Sequence, residues 1–449
     1  MATFDLSGLR QLDQAHHLHP FTDHRAMHAG GTHVIRAAKG STLIDESGRE
    51  LLDGLAGLWC TNVGYGREEI LAAVSEQMRA VAFYPSFFNT TTEPTIRLAA
   101  RLAKLAPARL NHVIFCNSGS EANETALKLI RAYWKLRGRR EKTKVLSRTF
   151  AYHGVGLATT SLTGLASCLD PFDLPLPGFI HVPGPNAYGT GKTPEEYGRW
   201  CLKETEKTIE REGAHTISAF FAEPVQGAGG VIVPPEGHLT ALRELCRKHE
   251  ILFVADEVIT GFGRLGAWFA SELWSLDPDL MSLAKGITSG YVPLGATLVS
   301  DEIADGFERG GYLAHGFTYT GHPVACAAAL ANLDILEHEK LIERVRDDVG
   351  PRFQQKLRAL AGHPAVGEVR GSQLIGAIEL KRPAHGKYAH APENSLGAAV
   401  HNLAREEGVV VRGIRDLIAL SPPFVITHEE LDRMFAGVER AIERMWGTR

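Results

Sequence analysis

The chain is poor in the features that would send it to a membrane, a nucleic acid or an oxidising compartment. Its six cysteines, at 60, 116, 168, 201, 246 and 326, include no CxxC pair. That spacing excludes a disulfide framework and a cysteine-based zinc site, and it suits a reducing cytosol. No stretch approaches about 18 uninterrupted apolar residues, so no membrane span is expected. There is no basic block: 48 Lys and Arg face 52 Asp and Glu, a net charge of -4, which argues against nucleic acid as the main partner. The opening residues MATFDLSGLRQLDQ carry acids and lack a basic region followed by an apolar run, so no targeting segment is expected. A soluble cytoplasmic protein is the resulting expectation.

Several catalytic signatures are also missing. No G-x-S-x-G elbow occurs, and neither His338-Glu339 nor His428-Glu429 has the second histidine of a zinc helix. Gly191-Lys192-Thr193 resembles the end of a phosphate-binding loop, but the first glycine of that motif falls on Asn186. Gly261-Phe262-Gly263-Arg264-Leu265-Gly266 matches G-x-G-x-x-G. It begins five residues after Asp256 instead of directly off the strand, which discounts a dinucleotide site. His16-His17-Leu18-His19 looks like a small metal tract, yet nothing nearby in the sequence completes it, and no metal is expected.

What is present is a globular chain of 449 residues, 44% hydrophobic and 22% charged, long enough for two or three domains. Glycine, at 46 residues, is in mild excess and marks backbone that must turn or approach something closely. Short apolar runs alternate with helical patterns through the middle. Strands are expected at 113–115, 145–146, 219–221, 251–255, 280–284 and 296–299, with helices at about 120–134 and 239–248. A loop is expected from Pro171 to Pro194. Strands this apolar are buried on both faces, which predicts a mainly parallel sheet covered by helices. Beyond about Ala325 the pattern changes: one long helix over 325–360, strands at 366–369 and 374–380, and a last helix opened by the Thr427/Glu430 capping box. The fold class is α/β, with a large domain over 60–325 and a small α+β domain built from 1–59 and 326–449.

Ligands collect at the carboxyl ends of strands in such sheets. Asn117-Ser118-Gly119-Ser120, Glu223, Asp256 and Lys285 all fall there. Each alone is ordinary: a helix cap, a buried ion pair, a snorkelling lysine. Together, with the flat ring of Tyr152 beside His153, they match the needs of pyridoxal 5'-phosphate. That cofactor takes a Schiff-base lysine, an acid on its ring nitrogen and a phosphate cup at a helix start.

The motifs SGSEANE (118–124), YHG (152–154), AEPVQGAGG (222–230), DEVITGFGR (256–264), AKG (284–286) and HGFTYTGHP (315–323) resemble, in order and spacing, those of the class III aminotransferases, pyridoxal phosphate enzymes of fold type I. The resemblance implies that Lys285 carries the cofactor and moves the substrate proton. It puts Asp256 on the pyridine nitrogen, Tyr152 and Val258 on the two ring faces, and Gly119 and Ser120, with Ser118, at the phosphate. His153 and Glu223 would support the pocket, and Thr318 of a second subunit would join the phosphate, making a homodimer, possibly a tetramer.

On the substrate side, Trp59, Phe87 and Phe88 resemble the aromatic pocket of the ω-transaminases, the amine:pyruvate and putrescine:pyruvate enzymes. Arg412 stands where that branch keeps a mobile arginine for a carboxylate. Relatives acting on ornithine or 4-aminobutyrate pair that arginine with a glutamate; here the position is Ala228, which weakens those readings. The expected activity is transfer of an amino group from a primary amine or diamine, putrescine-like, to pyruvate. β-Alanine-like ω-amino acids are the alternative donors. A decarboxylase, an aminomutase or a non-catalytic member of the fold remain open alternatives.

Overall fold

The computed structural model describes residues 5–310 and 312–447. Three short strands come first: β1 (Ile35–Lys39), β2 (Thr42–Asp45) and β3 (Glu50–Asp53). The central sheet takes β4 (His112–Cys116), β5 (Lys144–Arg148), β6 (Phe179–Val182), β7 (Ile217–Ala222), β8 (Leu252–Asp256), β9 (Leu280–Leu283) and β10 (Gly295–Val299). The chain ends with β11 (Val366–Ser372), β12 (Ile375–Leu380), β13 (Val409–Val410), β14 (Arg412–Ile414) and β15 (Leu417–Leu420).

The central sheet has the order β4-β10-β9-β8-β7-β5-β6. Only β10 runs against its neighbours, pairing antiparallel with both β4 and β9. Every residue of β7, β8, β9 and β10 is buried, as their uninterrupted apolar runs require. Successive side chains point to opposite layers. Phe220 and Phe253 pack on one face with Leu146 and Leu242, while Phe221 and Val254 pack on the other with Leu129 and Tyr133. At about 1.5–3 kcal/mol for each large apolar side chain, these two layers dominate the stability of the sheet.

The helix Gly119–Leu136 follows β4. It is started by Ser118, whose Oγ accepts the Glu121 N–H at 3.2 Å, and it buries Ala122, Ala126, Leu129, Ile130 and Tyr133 at helical spacing. Two further sheets flank the central one. One joins both ends of the chain in the order β1-β2-β3-β13, with Leu52 and Val409 in parallel register; the other is antiparallel, β11-β12-β15-β14. The last helix, His428–Trp446, keeps the expected reciprocal Thr427/Glu430 cap.

Two expectations are corrected. The Pro171–Pro194 segment is not all loop, since Phe179–Val182 forms the edge strand β6; the prolines on either side confine it to four residues. The long helix over 325–360 is two. Pro323–His338 ends where Lys340 turns into the left-handed region at φ 51°, and a second run covers Leu341–Arg344, the π-helical Val345–Val349 and Gly350–Ala359. Among the described residues, no helix is long and apolar enough to cross a membrane.

Candidate active site

Because β4, β5, β7, β8 and β9 run parallel, their carboxyl ends share one edge of the sheet, and that edge opens on a cavity of about 390 Å³. Its wall includes Ser118, Gly119, Ser120, Tyr152, His153, Glu223, Asp256, Val258 and Lys285.

Asp256, the last residue of β8, is buried, and three donors converge on its carboxylate. Asn123 Nδ2 and His153 Nδ1 each lie 2.7 Å from Oδ2, and the Val258 N–H lies 3.1 Å from Oδ1. Asn123 also reaches the His153 carbonyl at 2.9 Å, which ties the two supports together.

Glu223, just past β7, accepts the backbone N–H groups of Tyr152 and Gly227, each at 3.0 Å. Burial raises its carboxyl above the usual range, with the nearby His153 pulling the other way. The buried Arg148, at the end of β5, donates to the Glu223 carbonyl.

Lys285 follows β9 in the left-handed region, at φ 48°, a conformation that costs a non-glycine residue about 1 kcal/mol and persists where surrounding structure imposes it. Burial lowers its amine below the ordinary lysine range, opposed by Asp256, Cys60 and Glu223. A larger neutral fraction makes the amine a nucleophile and a proton acceptor.

The start of the Gly119–Leu136 helix presents backbone N–H groups without intrahelical partners, a favourable place for a phosphate. Gly119 is required there: a Cβ would come within 2.9 Å of Val258 Cγ1. Ser120 Oγ accepts the Val155 N–H at 3.1 Å, and a Cβ on Gly154 would strike that same oxygen at 2.7 Å. A flat ring with a phosphate at one end and an aldehyde at the other fits this wall. It would meet the helix start, the half-buried Tyr152 and Val258, the Asp256 carboxylate and the Lys285 amine. The residues present therefore fit pyridoxal phosphate.

The substrate-side residues are placed differently. Trp59 does not line the cavity: it is 4% exposed and packs in an apolar cluster with Leu55, Val225 and Ile259, while its neighbours Leu58 and Cys60 reach the wall. Phe88 projects from the surface at 86% exposure, and Phe87 packs on Gly316 of the loop that carries the exposed Thr318. Ala228 is half-buried outside the lining. Arg412 is exposed at the start of β14, close enough for its charge to act on the Tyr152 phenol, and it has no ion-pair partner among the described residues. Asn123 lies inside the SGSEANE motif, where nothing in the sequence marks it as a partner of Asp256. Leu58, Cys60, Ile259 and 292–294 carry no polar signal and come to the wall only through the fold.

The family model "Aminotransferase class-III" matches residues 26–442. The chain is 43% identical to the putrescine–pyruvate aminotransferase of Pseudomonas aeruginosa, over 96% of this chain and 95% of that one. It is 41% identical to the chloroplastic gamma aminobutyrate transaminase 3 of Solanum lycopersicum, over 91% and 80%. Among solved structures it superposes on an (S)-enantioselective omega-transaminase from Thermomicrobium roseum with a TM-score of 0.93 and 45% identity, covering 99% of this chain and 100% of that one. The omega-transaminase of Pseudomonas jessenii in complex with PMP gives 0.94 and 37%, covering 98% of each.

Proposed function

The chain belongs to the class-III aminotransferases, pyridoxal phosphate enzymes of fold type I, and on that footing we propose that it moves an amino group from a primary amine or diamine, with putrescine as the type, to pyruvate. The products are alanine and an aldehyde or ketone. The observation that carries this reading is the convergence of Lys285, the Asp256–His153–Asn123 group and the Ser118–Ser120 helix start on one cavity.

Bound pyridoxal phosphate supplies an aldehyde that condenses with amines and a ring that takes up the electron pair left when the amine-bearing carbon loses its proton. Lys285, whose amine burial pushes below the ordinary lysine range, would anchor the cofactor, yield to the incoming amine and then carry the proton from that carbon. Asp256, oriented by three donors, would hold the ring nitrogen in its protonated form. Tyr152 and Val258 would bracket the ring, and Glu223 fixes the backbone at Tyr152 and Gly227. Ser118, Gly119 and Ser120 would hold the phosphate.

Arg412 docks the carboxylate of pyruvate and swings away for an amine lacking one. Its freedom from an ion pair suits that alternation, and Ala228 offers no competing carboxylate. Trp59, through Leu58 and Cys60, shapes the amine pocket, and Phe87 and Phe88 complete it in a homodimer. The exposed Thr318, Tyr319 and Phe88 are available to a second copy, which would receive Thr318 at its phosphate. Six free cysteines suit a cytoplasmic enzyme.

β-Alanine-like ω-amino acids form the second donor class; the likeness to the tomato gamma aminobutyrate transaminase supports ω-amino acids as a class, while Ala228 stands against 4-aminobutyrate itself. A panel of amines with pyruvate, read as alanine formed, tests both readings. Stoichiometric alanine from putrescine without carbon dioxide is expected. Alanine from no amine in the panel overturns the proposal.

A further inference from the structure

Asp13, His17 and His19 meet at the end of the helix Leu6–His16 and in the turn beyond it. The histidine tract 16–19 offers only imidazole donors within its own four residues. Helical geometry supplies one, because residues four apart share a face and Asp13 stands beside His17. His19 folds back so that its Nε2 lies 2.9 and 3.0 Å from the two Asp13 oxygens, and His17 Nδ1 lies 3.1 Å from Oδ1. One ligand atom from each residue falls within 4.8 Å of the others. Four-coordinate bonds of about 2.0–2.1 Å place ligand atoms about 3.3 Å apart, so modest ring rotations let all three share one ion.

The surroundings hold these donors in place. Thr32 Oγ1 donates to Asp13 Oδ2 at 2.5 Å, and Arg10 Nε donates to the Thr32 carbonyl at 2.9 Å. The His24 ring bonds the His19 carbonyl at 2.8 Å. Partners of this kind orient the ligands of a metal site. The Asp13 and His19 side chains are about four-fifths shielded, whereas His17 is 60% exposed, so the cluster is backed by protein and open on one side. His16, the remaining histidine of the tract, is not part of the group.

We propose that Asp13, His17 and His19 form a binding site for a borderline divalent transition-metal ion such as Zn²⁺, with solvent completing its coordination. Two imidazoles and one carboxylate select such ions over Mg²⁺ and Ca²⁺, which take oxygen ligands. Each ring binds the ion through the nitrogen that faces Asp13, with its remaining proton on the other ring nitrogen, and the ion ties the Leu6–His16 helix to Thr32, ahead of β1. The site is separate from the cofactor cavity and shares no residue with its wall.

The test is Zn²⁺ binding to the untagged, cofactor-loaded enzyme, measured by equilibrium dialysis and metal analysis. The native protein should hold one Zn²⁺ per chain beyond what the His17→Ala/His19→Ala protein holds at the same free Zn²⁺. Asp13→Asn should weaken that extra ion at least tenfold, and His16→Ala should leave it unchanged. The visible absorption of the bound cofactor reports that each variant is folded. If the double variant fails to fold, the near-isosteric Asp13→Asn carries the comparison alone. Equal Zn²⁺ on native and substituted proteins, loss of the ion in His16→Ala, or equal affinity for Mg²⁺ overturns the proposal.

Discussion

His153 and Asp256 are held together beneath the cavity: the imidazole Nδ1 lies 2.7 Å from the carboxylate Oδ2, and both side chains are buried. This contact fixes the direction of the carboxylate that we propose meets the ring nitrogen. Hydrogen bonds to charged groups contribute about 1.5–3 kcal/mol, so His153→Ala should raise the dissociation constant for pyridoxal phosphate roughly ten- to a hundredfold. His153→Asn, which keeps a donor, should lose less. An equilibrium titration of the apoenzyme checks this, and an unchanged constant counts against the role.

Gly119→Ala should weaken cofactor binding for a steric reason. Its Cβ would sit 2.9 Å from Val258 Cγ1, at the helix start proposed to receive the phosphate. Val258→Ala in the same chain should restore part of the loss. The same titration measures both, and additive losses would mean that the two residues do not meet as described.

Arg412→Ala should separate the two halves of the reaction. The KM for pyruvate should rise at least tenfold, while the half-reaction with putrescine, which has no carboxylate, should change less than twofold. Steady-state kinetics with each substrate varied in turn decides it. Equal losses on both sides contradict the docking role.

Acid should destabilise the protein partly through His238. Desolvation lowers its pKa to about 4, with Arg148 acting in the same direction, against an ordinary value of 6.5. The folded state therefore resists a proton that the unfolded chain accepts. Its contribution is intact above about pH 6.5 and is lost as pH falls toward 4, a difference of about 3 kcal/mol. Melting temperatures from pH 7 to pH 4 should fall less steeply in His238→Gln than in the native protein.

The central strands are legible because burial on both faces leaves them uniformly apolar, as in ILFVA before Asp256. Lys285 and Glu223 could be picked out because a polar residue just past such a run has few other places to be. β6 is hidden among prolines, and the break at Lys340 depends on a backbone turn that a helical pattern of side chains does not reveal. The same limit applies to the site. Nothing in the sequence shows that Lys285 sits at positive φ, that Asn123 reaches across 133 residues to Asp256, or that Trp59 turns into the core while Leu58 and Cys60 reach the wall.

The most direct measurement follows the visible absorption of the cofactor-loaded enzyme on adding putrescine without pyruvate, then pyruvate. The expected result is stoichiometric conversion of bound pyridoxal phosphate to pyridoxamine phosphate, reversed by pyruvate with one alanine formed per site, and neither change in Lys285→Ala. A native spectrum that ignores putrescine and every ω-amino acid, or a Lys285→Ala protein that completes the cycle, contradicts it.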